Sequence, residues 1–220
     1  VNGLRLNLNY TKDEYIRDHI LPDATLRAAD SYFKTNNYPK AIEYYNDAIK
    51  YQYEDYHYAM YQRAVILGLR NPNDPAEGIL ALEELYKKHP KSDYADDAIF
   101  KIGVTYLNNG NLSEAITAFE KLTNRYPGSD YVNRALLRLG LIHINQRQDN
   151  IALQKYKRIF TNNPNSQEAK SALKGIEEIY ITQNDPQGYI NFKNSLSGYE
   201  VTESEEENIL FKNAETHFEN

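Results

Sequence analysis

Ala41, Gly78, Ala115 and Ala152 are four small residues separated by a constant step of 37 (41, 78, 115, 152). Other columns keep the same step. Tyr45, Leu82, Phe119 and Tyr156 form one, Ala48, Leu85, Leu122 and Ile159 another, and Tyr53, Pro90, Pro127 and Pro164 a third. A period of this length belongs to a unit that cannot bury its apolar face alone and does so by stacking on copies of itself. The chain is therefore expected to be a stacked repeat. Its function should lie on a surface that several units build, not in a catalytic pocket.

Each unit reads as two helices. Across 93–109, Ile99, Ile102, Gly103 and Tyr106 recur at helical spacing. Asn109-Gly110-Asn111 then stops that helix and caps the next, which carries Ala115, Phe119 and Leu122 and ends before Tyr126-Pro127-Gly128. Proline has no N–H to give a helix and disfavours helical backbone in the residue before it. The following unit repeats the scheme with Leu136, Leu139, Gly140 and His143, then Ala152, Tyr156, Ile159 and Pro164; its Ser129-Asp130-Tyr131 copies Ser92-Asp93-Tyr94. The first unit offers Ala28, Ala29, Tyr32, Tyr38, Ala41, Tyr45 and Ala48, and the second Tyr61, Ala64, Leu67, Gly78, Leu82 and Leu85. The turn of the second, Arg70-Asn71-Pro72-Asn73-Asp74-Pro75, is about two residues longer, and Asp74 reads as an N-cap with Pro75 at the first helical position. Close backbone approach is expected where Gly103 meets Ala115 and Gly140 meets Ala152, so that a larger residue there would overpack the pair.

A fifth unit decays. Leu173, Ile176 and Tyr180 keep the register, but the next helix, expected at 186–195, has Tyr189 and Lys193 where small and aromatic residues belong. After Ser197-Gly198-Tyr199, Thr202-Glu203-Ser204-Glu205 forms a capping box ahead of a helix with Leu210, Ala214 and Phe218 on one face. The expected boundaries are 1–21 for the remnant of a preceding segment and 22–196 for the solenoid. Its units are about 22–54, 55–91, 92–128 and 129–165, with a degenerate one at 166–196. Residues 197–220 are a linker and the first helix of a further repeat. Because such a helix cannot bury its stripe alone, the chain is expected to be a fragment of a longer repeat protein; the alternative is that this last helix caps the solenoid.

Composition narrows the chemistry. Acidic residues outnumber basic ones, 31 to 25, for a net charge of -6, which argues against sequence-independent nucleic-acid binding. With no cysteine, disulfide, zinc-thiolate and thiol-nucleophile chemistry are closed. No apolar run approaches the about 18 residues that cross a bilayer, so no direct membrane insertion is expected. His19, His57, His89, His143 and His217 include no pair at metal-ligand spacing, and His143 fills a tyrosine slot, which points to packing. Asp96-Asp97 opens a helix and reads as a solvated pair, and there is no glycine-rich phosphate loop. No cofactor, metal or catalytic residue is expected. Asn9-Tyr10-Thr11 and Asn111-Leu112-Ser113 are formal glycosylation triplets of the kind an Asn-rich chain produces by chance. Among 20 tyrosines, Tyr44, Tyr45, Tyr51, Tyr53, Tyr56, Tyr58 and Tyr61 cluster; Tyr45 and some others read as core, the rest as candidates for a binding surface.

Ile99, Ile102-Gly103, Tyr106, Ala115, Phe119 and Pro127 resemble the tetratricopeptide repeat. That pattern has a large apolar residue, Leu-Gly and Tyr on the first helix, then Ala, an aromatic, Ala and a closing Pro. His143 and the missing proline of the first unit depart from it, as do Leu85, Leu122 and Ile159 at the final small position, which should widen the spacing to the next repeat. The resemblance covers about residues 24–182. It implies an all-α fold, a right-handed α-solenoid of antiparallel helix pairs wound as a superhelix. It also implies a non-catalytic scaffold that binds a peptide or protein on a concave face lined by first helices. Carried over by position, the contacts are Tyr58, Tyr61 and Val65; Phe100, Val104, Leu107 and Asn108; and Arg134, Leu137, Leu141, Ile144 and Asn145. Asn108 and Asn145 are equivalent and suited to pairing with a ligand backbone. The carboxylate clamp of some members is not expected: only Arg134 and Arg138 sit at comparable positions, with Tyr61, Val65 and Lys101 at the others.

The segments Tyr-Pro-Gly-Ser-Asp-Tyr and His-Pro-Lys-Ser-Asp-Tyr resemble those of tetratricopeptide proteins of the bacterial cell envelope, the outer-membrane assembly lipoproteins and the coordinator of the Tol-Pal system. That likeness implies a periplasmic or envelope setting, with the cytoplasm as the alternative. The second functional reading is an oligomerisation or structural element of a large multi-repeat envelope protein, a homo-oligomer.

Overall fold

The computed structural model describes residues 12–218. Leu4, Leu6, Leu8 and the Asn9-Tyr10-Thr11 triplet lie outside the described residues. The described chain is all-helical: α1 (Lys12–Tyr15), a π-helical turn (Ile16–Ile20), then α2 (Leu21–Lys34), α3 (Tyr38–Lys50), α4 (Tyr56–Arg70), α5 (Ala76–Lys88), α6 (Ala95–Asn108), α7 (Leu112–Arg125), α8 (Val132–Asn145), α9 (Asp149–Asn162), α10 (Gln167–Thr182), α11 (Pro186–Asn194) and α12 (Glu203–Phe218). The fold is an α-solenoid of helix pairs. Its internal contacts gather into two compact units, Val1–Ala118 and Phe119–Asn220.

The joints within the hairpins explain the period. Asn36, Gly110, Arg147 and Asn184 hold left-handed backbone, with φ of 57°, 75°, 58° and 56°. In each case the next N–H reaches back to the carbonyl five residues earlier: Asn37 to Tyr32 at 2.8 Å, Asn111 to Tyr106 at 2.9 Å, Gln148 to His143 at 2.8 Å and Asp185 to Tyr180 at 2.9 Å. This left-handed C-cap satisfies a carbonyl that the helix end leaves open and turns the chain at once into the next helix. Asn73 holds the corresponding place in the second hairpin and is not left-handed. There Asn71 and Asp74 each precede a proline, which pushes them out of helical backbone, and the turn closes instead with Asp74 N–H on the Asn71 carbonyl at 3.0 Å. Helix α5 begins at Ala76 with Pro75 at its cap. The start is thus one residue later than Asp74 as N-cap would put it; Asp74 Oδ1 accepts from Ala76 N at 3.4 Å.

Other caps follow the sequence. Thr202 Oγ1 accepts from Glu205 N and Glu205 Oε2 accepts from Thr202 N, each at 3.3 Å, a reciprocal box at the head of α12. Ser166 Oγ accepts from Ala169 N at 3.1 Å and Asp185 Oδ1 from Gly188 N at 2.9 Å.

In the first unit α2 packs on α3, α3 on α4, α4 on α5 and α5 on α6. Ala29, Ala41, Tyr45, Ala48, Ala59 and Ile66 close its core. Tyr45 is fully buried, and burial of so large a side chain contributes about 1.5–3 kcal/mol. Its hydroxyl donates to Asp30 Oδ1 at 2.6 Å, and Tyr58 donates to the same oxygen at 2.9 Å. A Cβ on Gly78 would stand 2.6 Å from Gly68 N and 2.9 Å from the Ala64 carbonyl, so α5 rests directly on the backbone of α4. His57, at the head of α4, meets His89, just past α5, with ring centroids 4.5 Å apart; Tyr56 stands edge-on to His89 at 5.6 Å.

In the second unit α8 packs on α9, α9 on α10, α10 on α11 and α12 on both α10 and α11. The ring of Tyr156 lies against Gly140 by one edge and against Gly175 by the other. One buried tyrosine thus fills the room that two missing side chains leave. His143 is buried, with Nδ1 donating to Gln148 Oε1 at 2.7 Å. Helix α12 sets Ile209 into the core and holds α10 through Lys212–Glu177 and Asn213–Asn184, each at 2.7 Å, and through His217 Nε2 on the Ile181 carbonyl at 2.7 Å. Leu210, Phe211, Ala214 and Phe218 remain exposed.

Candidate functional site

Helices α4 and α6 carry seven of the twelve sequence-selected residues, all in the first unit. Tyr58 and Tyr61 are half-buried and lie against one ring, Tyr94, at 5.6 and 5.9 Å. The Tyr58 hydroxyl is committed to Asp30; burial, then that carboxylate, push its pKa up to about 12. Burial, then Asp97, push Tyr61 up to about 12 as well. Both phenols are neutral at physiological pH. Other rings also pair: Tyr32 stacks on Tyr44 at 5.6 Å, and Tyr51, 57% exposed, on Tyr53 at 5.6 Å.

Val65 and Asn108 come together in a crevice of about 340 Å³. Its walls are Ala64, Val65, Gly68 and Leu69 of α4, Pro72, Asn73 and Pro75 of the long turn, Gly78, Ile79 and Leu82 of α5, Lys101, Thr105 and Asn108 of α6, and Asn109 just past it. No Asp or Glu lines it. Phe100, Val104 and Leu107 are half-buried on α6 and stand outside it. The sequence reading missed Gly68, Leu69, Asn73, Lys101 and Thr105 as one site. The usable signals were the extra length and two prolines of the turn, together with glycines at 68 and 78.

Helix α8 carries the remaining five. Leu137 and Ile144 pack against the core of the second unit and are partly structural. Leu141 is 47% exposed, and Asn145 is exposed. The Arg134 guanidinium lies over the Tyr131 ring at 5.4 Å. Among the described residues no group of three or more His, Asp or Glu is placed to hold a metal, and no helix is long and apolar enough to cross a membrane. The chemistry of these surfaces is that of contact: apolar patches, carboxamides and a lysine.

Comparison with known proteins agrees with this geometry. A family model described as Tetratricopeptide repeat matches residues 97–129 and 134–166, and a second of the same description matches 26–93, together more than half of the chain. No curated protein matches. Among solved structures, a tetratricopeptide repeat protein from Parabacteroides merdae is similar at 12% identity, with 91% of this chain and 88% of that one covered and a TM-score of 0.55. The pilF protein of Pseudomonas aeruginosa is similar at 13% identity, covering 92% and 86%, with a TM-score of 0.57. A MamA chain from Desulfovibrio magneticus is similar at 12% identity, covering 81% and 94%, with a TM-score of 0.55. At such identities the likeness is one of fold.

Proposed function

Since the chain belongs to the tetratricopeptide-repeat family, we propose that it is a non-catalytic scaffold that binds a peptide or protein partner along the first helices of its repeats. The observation that carries this reading is the placement of half-buried Val65 and Leu107 and exposed Asn108 on α4 and α6, and of exposed Leu141 and Asn145 on α8. Such residues contribute little to a core, and carboxamides supply both a donor and an acceptor to a bound main chain. Replacing Phe100, Leu107 and Leu141 together by Ser should abolish capture of the partner from host extract while circular dichroism stays helical. Retained capture would refute the surface.

The cell envelope is the compartment we assign, on the likeness of residues 89–94 and 126–131 to segments of envelope proteins, with the chain as one portion of a longer repeat protein. Self-association is the second reading. It is favoured by Leu210, Phe211 and Phe218, which stand exposed on α12.

A further inference from the structure

We propose that the crevice between the α4–α5 turn and α6 takes one apolar side chain of an extended acidic segment of the partner, with Lys101 holding an aspartate or glutamate next to that side chain. The proposal rests on the scaffold reading above and gives it an anchor point and a ligand chemistry. The crevice exists because the second hairpin lacks the left-handed cap of the other joints and runs wide through Pro72 and Pro75. Its walls include Val65, Leu69, Ile79 and Leu82, and over Gly68 it is open: apart from the adjoining backbone of its own helix, no atom lies within 4 Å of the place a Cβ would take. A volume of about 340 Å³ is at the small end of ligand sites, about 300–1,000 Å³, and suits one leucine- or phenylalanine-sized group with its main chain.

Charge and hydrogen bonding narrow the occupant. Lys101 has no ion-pair partner among the described residues, and no acidic side chain lines the crevice, in a chain of net charge -6. Lys101 is thus the charged side chain that lines the crevice, and it favours an anion placed beside it. The carboxamides of Asn73 and Asn108 also line it, able to pair with a main chain. Across Asn73, Pro75, Ile79 and Asn109 lies a second depression of about 470 Å³, lined by Tyr106, by a Leu80 that is 66% exposed, and by two carboxylates already engaged, Asp74 with Ala76 N and Glu83 with Lys87, so the acid of the segment belongs at the Lys101 end. A segment that passes over both finds an apolar contact in each, which a chain ending in the crevice does not. The carboxylate is accordingly a side chain within the segment, not a C-terminus.

An array of short random peptides, acetylated and amidated at their ends, probed with the labelled chain, tests this. The retained peptides should be enriched in Leu, Ile or Phe beside Asp or Glu. Fluorescence polarisation with the best of them should show Gly68→Leu, which fills the crevice without a backbone clash, weakening binding about tenfold or more at an unchanged melting temperature. Lys101→Glu should weaken it about tenfold, and that loss should vanish for the peptide with Asn in place of the acid. Enrichment without an acid, affinity unmoved by Gly68→Leu, a requirement for a free C-terminal carboxylate, or no retained peptide would each overturn the proposal. If the anchor falls in any of these ways while partner capture is still lost on replacing Phe100, Leu107 and Leu141, the scaffold reading stands without it.

Discussion

Arg147 is a residue whose type and backbone disagree, as is Gln52 at φ 50°. Arg147 holds φ 58° at a hairpin joint where Gly110 and Asn184 hold the equivalent places. Left-handed backbone costs an ordinary L-residue about 1–2 kcal/mol, because Cβ crowds the following carbonyl oxygen. Glycine has no such penalty, though it gives up more freedom on folding. Arg147→Gly should therefore stabilise the chain by about 1 kcal/mol, read as a higher urea midpoint at an unchanged slope. A lower midpoint would mean that the arginine side chain contributes more than its backbone loses. Asn36, Gly110 and Asn184 are legible as turn residues from their chemistry alone. Arg147 is not; only the step of 37 from Gly110 marks it.

Between elements, the contact of His57 with His89 joins the head of α4 to the end of α5. The two lie far apart in sequence, so a search at metal-ligand spacing passes over them, and the intervening helix brings them together. His57 Nε2 is buried without a hydrogen-bond partner among the described residues. Burial, then the neighbouring His89, lower the His57 pKa, and Asp93 opposes them. Glu54, Asp55, Lys88, Lys91 and Asp93 surround the pair from the adjoining turns. The folded state thus binds a proton on His57 less readily than the unfolded chain does. The stability this confers is present above the ordinary histidine pKa of about 6.5 and is lost as pH falls below it toward the depressed folded value. The melting temperature should fall further between about pH 7 and about pH 5.5 for the parent than for His57→Gln, which cannot take the charge. Equal falls would show that the pair contributes nothing. The helix pairs themselves were open to sequence reasoning because apolar spacing and proline stops state them directly. The Tyr156 ring against Gly140 was not, since the spacing of small residues does not say which long side chain fills the room beside them.

For the molecule as a whole, periodicity discloses the architecture but not the sites. A column of small residues says that helices approach closely; it does not say where they fail to. The crevice opens beside the close contact of Gly68 with Gly78, and a longer turn announces extra residues without announcing the space beside them. Likewise Leu137 and Tyr58 lie on the first helices of their repeats, yet one packs on a core and the other is tied to Asp30. Exposure of Phe211 at 64% raises the alternative of self-association. Light scattering after size exclusion, over about a hundredfold range of concentration, should return a single monomer mass if α12 is not an interface. A dimer that disappears with Phe211→Ser would transfer the assignment to the second reading.

The uncapped second joint also offers a handle. The chain has no cysteine, and Asn73 borders both depressions. A thiol introduced at that position would be unique, so a dye attached there would report on whatever enters either hollow, from a bend whose neighbours do not depend on it for their register.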